Sequence, residues 1–86
     1  MLSRAEVLRR SLAIEALAAE LRSRGRHVSQ DGAWMWAARV RLGRGREIGV
    51  NGDGFVWQKG GCYVWPPFAR VDDIPHAAGV VEKEIG

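Results

Sequence analysis

The chain predicts an α+β fold: a two-layer sandwich in the order helix, antiparallel meander of three to four strands, helix. Three observations carry this. A capped, charge-paired helical pattern opens the sequence, short alternating runs separated by glycine fill the middle, and a second helical pattern follows a pair of aspartates. Eighty-six residues support a single hydrophobic core, so residues 1–86 read as one domain with a thin stability margin.

The first helix is expected over 4–24. Ser3-Arg4-Ala5-Glu6 is a capping box, in which the Ser3 hydroxyl accepts from the Glu6 amide while the Glu6 side chain reaches back. Gly25 is the natural stop, because glycine takes the left-handed conformation that a helix end needs. Glu6–Arg10 and Glu20–Arg24 stand four apart in the favourable orientation. The helix carries two apolar stripes. Val7, Ile14, Leu17 and Leu21 share one face; Ala5, Leu8, Leu12, Ala16 and Ala19 share another, roughly opposite. A surface helix needs one such face, so the second must meet another helix or a second molecule.

From residue 26 the period changes to that of strands. Asp31-Gly32 marks a turn, and 33–42 alternates: Trp34, Trp36, Ala38, Val40 and Leu42 on one side, Ala33, Met35, Ala37, Arg39 and Arg41 on the other. Gly43-Arg44-Gly45 turns into a strand at 46–51, whose apolar side is Ile48 and Val50. Asn51-Gly52-Asp53-Gly54 signals a hairpin and a return strand at 54–59. Gly60-Gly61 leads to a strand at 62–65, which Pro66-Pro67 should end by removing two ladder donors. His27–Gln30 is a candidate edge strand. Trp34, Trp36, Trp57 and Trp65 all fall in this region, which makes it the expected core and a candidate binding surface.

The last element is a helix over 73–85, capped by Asp72 or Asp73, with Pro75 tolerated in its first turn. Ile74, Ala78, Val81 and Ile85 form its apolar face, opposite Glu82, Lys83 and Glu84. Gly79 inside it predicts close approach to a neighbour. Both helices should cover one sheet face, with Trp34 and Trp36 beneath them and Arg39 and Arg41 on the open face.

Composition narrows the function classes. Residues 1–10 carry Arg4, Glu6, Arg9 and Arg10 and leave no apolar run for a secretory signal. No stretch reaches the length of a membrane span, so no membrane partner is expected. One cysteine, Cys62, cannot form an internal disulfide, and the expected compartment is the reducing cytoplasm. Eleven arginines against two lysines resemble the codon bias of a GC-rich genome. Residues 1–46 set ten arginines against Glu6, Glu15, Glu20 and Asp31, a net of +6. Residues 47–86 set Lys59, Arg70 and Lys83 against six acids, a net of −3. Such a split suits an acidic partner, a twin, or pairing between the chain's own halves.

No catalytic set assembles on paper. His27, Cys62 and His76 lack the short spacings of structural zinc, so neither metal nor cofactor is expected. Cys62 has no local feature that activates a thiol, and Asp72-Asp73 is explained by helix capping. Gly43-x-Gly45 continues to Ile48 where a dinucleotide fingerprint wants glycine, and no Walker lysine is present. A pocket lined by Trp57, Tyr63 and Trp65 is the one small-molecule arrangement the sequence offers. The basic cluster Arg39, Arg41, Arg44 and Arg46, close to Trp34 and Trp36, has the residue types that hold single-stranded nucleic acid.

The α-β-β-β-α order resembles the double-stranded-RNA-binding domains in topology. Those domains grip phosphates with lysines at the start of the second helix, where this chain has Asp72-Asp73-Ile74-Pro75-His76, an acidic departure that argues against duplex RNA. Asn51…Tyr63-Val64-Trp65-Pro66 with Val71…Pro75 resembles, over about 25 residues, a stretch of the small MbtH-like proteins that assist adenylation enzymes. The spacing is one residue short before Trp65, the later Gly-Trp is missing, and a long helix precedes the sheet, so no membership follows. The reading favoured by the residues is a non-enzymatic interaction module. It binds a protein, or itself as a homodimer, through Leu8, Leu12, Ala16 and Ala19 on helix 4–24. The alternative is a nucleic-acid-binding accessory or regulator using Arg39, Arg41, Arg44 and Arg46.

Overall fold

The computed structural model describes residues 3–31, 39–42, 46–59 and 62–85. Helix α1 spans Arg4–Ser23. Ser3 is extended and its Oγ accepts from the Glu6 amide at 3.1 Å. Only this half of the capping box forms, because the Glu6 carboxylate turns to Arg9 and Arg10 instead. At the other end Gly25 adopts φ +82. The Arg26 amide donates to the Leu21 carbonyl at 3.0 Å and the Gly25 amide to Arg22 at 2.9 Å. This doubly bonded, glycine-terminated end satisfies carbonyls the helix would otherwise leave open.

Five strands follow: β1 Ser29–Asp31, β2 Arg39–Leu42, β3 Arg46–Asn51, β4 Gly54–Lys59 and β5 Cys62–Arg70. They pair antiparallel in sequence order, and helix α2, Ile74–Ile85, closes the chain. The α+β sandwich is as the sequence predicts, with two differences in the sheet. The candidate edge strand at 27–30 is real, shifted to Ser29–Asp31, and pairs Ser29 with Arg41. Of the strand expected at 33–42, the described portion is Arg39–Leu42; the inward placement foreseen for Trp34 and Trp36 lies outside the described residues.

The second difference is a correction. Pro66-Pro67 does not end the sheet. Trp57 pairs with Val64 and Phe55 pairs with Ala69, so Trp65–Phe68 make a four-residue excursion opposite Val56 and pairing then resumes. Both prolines fall inside the excursion, on an edge strand, where the missing donors interrupt no ladder. The Trp65–Pro66 peptide is cis.

The core lies between the sheet and the helices. Ile14, Leu17, Ala18 and Leu21 of α1 meet Ile48, Val50, Phe55 and Ala69 of the sheet and Ala77, Ala78 and Val81 of α2. Phe68 stacks on both Phe55 and Trp57, at 6.3 and 5.1 Å between ring centroids. On α2 the cap is Asp73, whose Oδ1 accepts from the His76 amide at 3.3 Å. Ile74 is partly buried, Ala78 and Val81 are buried as their spacing requires, and Ala77 joins them.

Gly79 corrects another expectation. A Cβ built there meets nothing within 4 Å, so no close neighbour demands glycine. Replacing Gly79 with Ala is therefore expected to stabilise the domain by about 0.5–1 kcal/mol, because alanine loses less backbone entropy in a helix. A melting temperature several degrees higher would show it, and an unchanged or lower one would refute it.

Candidate functional site

The two faces of α1 meet different fates. Val7 is half-buried, and Ile14, Leu17 and Leu21 are fully buried against sheet and α2. On the opposite face Leu8 and Leu12 are 60% and 55% exposed, and Ala5, Ala16 and Ala19 are exposed as well. All four residues singled out as an interface, Leu8, Leu12, Ala16 and Ala19, therefore lie together on one open helix face. No element among the described residues covers them. Single exposed leucines are ordinary on protein surfaces; a stripe running nearly the length of a helix is the less common case.

Of the first-half arginines whose side chains are described, Arg9, Arg10, Arg22, Arg24 and Arg26 are committed inside the molecule. Arg9 donates to the Gly52 carbonyl at 2.9 Å and pairs with Asp53 at 3.3 Å, while Arg10 donates to the Val50 carbonyl at 3.0 Å. Together they tie the first half of α1 to the β3–β4 hairpin. Arg24 and Arg26 both pair with Glu82 of α2, at 2.8 and 3.2 Å, and Arg22 donates to the Val28 carbonyl at 3.2 Å. Among the described residues, Arg9, Arg24 and Arg26 thus pair with acids of the chain's second half, one of the arrangements the charge split allows.

Glu6 sits under Arg9 and Arg10 at 2.7 and 3.1 Å. Hydrogen bonds from Arg9 first and Arg10 second hold its carboxyl down to about 2, against an ordinary 4.5. Because the folded value is depressed, this contribution to stability is complete above pH 4.5 and fades as pH falls toward 2. Arg24 lowers Glu82, and Arg70 lowers Asp72, in the same direction. Glu6→Gln is expected to lower the melting temperature at pH 6 and to leave it less dependent on acidification. Equal losses in both proteins on going to pH 3 would refute this.

The backbones of Arg39, Arg41 and Arg46 lie in β2 and β3, with Arg41 opposite Glu47 in the register. Their side chains, and Arg44 entirely, lie outside the described part of the molecule. The aromatic pocket expected from Trp57, Tyr63 and Trp65 is not assembled. Trp57 stacks on Phe68 beside the helix-side core, Tyr63 reaches toward Gly49, and Trp65 is 69% exposed on the edge strand. A groove of about 310 Å³ does border Trp65, but its other walls include Asn51, Asp53, Pro67 and Arg70. The β5 excursion creates it, beyond the point where Pro66-Pro67 leads the sequence to predict the end of the sheet. Phe68-Ala69-Arg70 was the available signal, an apolar pair and a charge continuing the strand. Among the described residues no group of three or more His, Cys, Asp or Glu could hold a metal ion, and no helix is long and apolar enough to cross a membrane.

The chain matches no protein-family model, and comparison with curated proteins and with solved structures likewise returns no match. Fold and surface define a class: a small α+β domain whose two helices cover one face of a five-stranded antiparallel meander, with one helix apolar on its outward side as well.

Proposed function

We propose that this chain is a non-enzymatic interaction module of the cytoplasm that docks on protein through the outward face of α1. The observation that carries it is the exposed stripe of Leu8, Leu12, Ala16 and Ala19 on a helix whose other face already fills the core. Burying two leucine side chains would supply about 3–6 kcal/mol of transfer free energy before the costs of association. The internal commitment of Arg9, Arg10, Arg22, Arg24 and Arg26 makes these five poor contributors to a polyanion site, since charges already paired release fewer counterions.

A photo-reactive residue in place of Leu12, in the cells that make the chain, tests this. It is expected to give protein adducts that disappear when Leu8→Glu is added. The same probe at Lys83, exposed on α2, is expected to give none. Equal yields at the two positions would sink the proposal. A nuclease-sensitive adduct would move the function to nucleic acid and to Arg39, Arg41, Arg44 and Arg46.

A further inference from the structure

We infer that the groove beside Trp65 binds a neutral saccharide, one ring of which stacks on the exposed indole. The site shares no residue with the α1 stripe and goes beyond docking on protein. Its geometry follows from the sheet register. Asn51 pairs with Gly54 and Gly54 with Arg70, so the three form one row across β3, β4 and β5. Val50, Phe55 and Ala69 make the neighbouring row, which belongs to the core. Asn51 and Arg70 therefore stand on the sheet face away from the helices. Gly54 puts no side chain between them, and the Pro67 ring lies over it as an apolar floor. Trp65 and Phe68 complete the walls of a groove of about 310 Å³, at the small end of the ~300–1,000 Å³ typical of ligand sites. Its rims are anchored before any ligand arrives. The Val71 amide donates to the Asp53 carbonyl at 2.9 Å, Arg9 holds the Gly52 carbonyl, and Phe68 is stacked on Phe55 and Trp57. A site already in place lowers the ordering cost of binding.

Three properties select the ligand class. The first is charge. Arg9, Arg10 and Arg70 in and around the groove are matched by Glu6, Asp53 and Asp72, in ion pairs of 2.7 to 3.3 Å. Asp73 turns its carboxylate to the His76 amide at the start of α2, where the helix dipole offsets it. A cation meets Arg9 and Arg70, an anion meets Asp53 and Asp72, and only a neutral ligand escapes both. The second is hydrogen bonding. Asp53 Oδ2 can only accept, Arg70 Nη1 can only donate, and the Asn51 carboxamide can do either. None of these atoms has a partner among the described residues. Hydroxyl groups both donate and accept, so a polyol answers all three. A proline-rich peptide brings carbonyls without donors and leaves Asp53 unanswered. The third is the indole itself, a flat apolar surface that suits the C–H face of a sugar ring while the hydroxyls stay at the rim. Nucleobases also stack on such a ring, but the phosphates of a strand would face Asp53 and Asp72.

The test is a titration of the isotope-labelled full chain with neutral hexasaccharides of glucose, mannose and galactose, read by the indole N–H signals in NMR spectra. The Trp65 signal, assigned by its disappearance in Trp65→Phe, is expected to shift saturably with at least one of them. Trp65→Phe is expected to keep binding, Trp65→Ala to abolish it, and Asp53→Asn and Arg70→Gln each to weaken it several-fold. Because Trp65 is exposed, Trp65→Ala is expected to melt as the parent does, which separates loss of binding from loss of fold. No shift at Trp65 with any of the three sugars would overturn the inference. So would a saturable shift with a proline decapeptide or an oligouridylate in their place, which would assign the groove to peptide or nucleic acid. Sugar binding that survives Trp65→Ala and is lost in Leu8→Glu would also overturn it, by moving the site to α1. Protein adducts from the photo-probe at position 12 are expected to persist in Trp65→Ala, so the groove and the docking face stand or fall separately.

Discussion

Phe55→Ala is expected to lower stability by about 3–5 kcal/mol. Phe55 heads the fully buried side chains by volume, stacks on Phe68, and belongs to the one cluster that joins α1, the sheet and α2. Little can move to fill the hole, since its strand partners Val50 and Ala69 come from different strands, each held in place by its own ladder, and the rest of the cluster from two helices. A domain of this size has a total stability near the low end of ~5–15 kcal/mol, so the variant is expected to be substantially unfolded at 37 °C. Loss of the cooperative melting transition would show it, with Trp57 fluorescence reporting on the same cluster. Leu12→Ala, on the exposed face, is the contrast and is expected to change monomer stability by no more than ~0.5 kcal/mol. A small effect at Phe55, or a large one at Leu12 in the monomer, would mean the core has been misplaced.

Gly54→Ala is the second large effect, expected to cost about 1–3 kcal/mol through overpacking. A Cβ at Gly54 would run into the Pro67 ring and would lie 3.4 Å from the Ala69 carbonyl oxygen. The ring cannot swing aside as a long flexible side chain would, because it is fixed to the backbone of the β5 excursion. The cause can be checked by a double-mutant cycle with Pro67→Gly, which removes the colliding atoms. A positive coupling is expected, with the Gly54→Ala penalty reduced in the Pro67→Gly background. Gly52→Ala should behave differently. Gly52 adopts φ +62 and a Cβ there meets nothing within 4 Å, so its cost of roughly 1–2 kcal/mol comes from the backbone and should not respond to Pro67→Gly. Independence of Gly54→Ala from Pro67 would place its effect elsewhere.

These two sites illustrate what a sequence can and cannot reveal. The Asn51–Gly54 hairpin was legible because turn chemistry is local: Gly52 must go where φ is positive, and its neighbours can tell it so. The glycine at 54 carries a different message, since its need for a bare backbone arises from Pro67, thirteen residues later. Pro66-Pro67 misled for the same reason. A proline forbids a donated hydrogen bond, but whether one is wanted depends on the strand opposite, and here the excursion wants none. Gly79 erred in the other direction: a glycine in a helix suggested a neighbour, and the space beside it is open.

The sequence by itself determined both helices and their caps, the hairpin register, and the existence of a second apolar face on α1. All of these follow from periodicity and from hydrogen bonds spanning a few residues. Which of the two α1 faces would be buried was decided only by tertiary structure. Both stripes are apolar, though the first carries the larger aliphatic side chains, and packing against Ile48, Val50 and Val81 is what places Ile14, Leu17 and Leu21 in the interior. Tertiary structure also decided that Arg9, Arg24 and Arg26 would answer acids of the chain's own second half, because partners 44, 58 and 56 residues away come within reach only once the chain has folded.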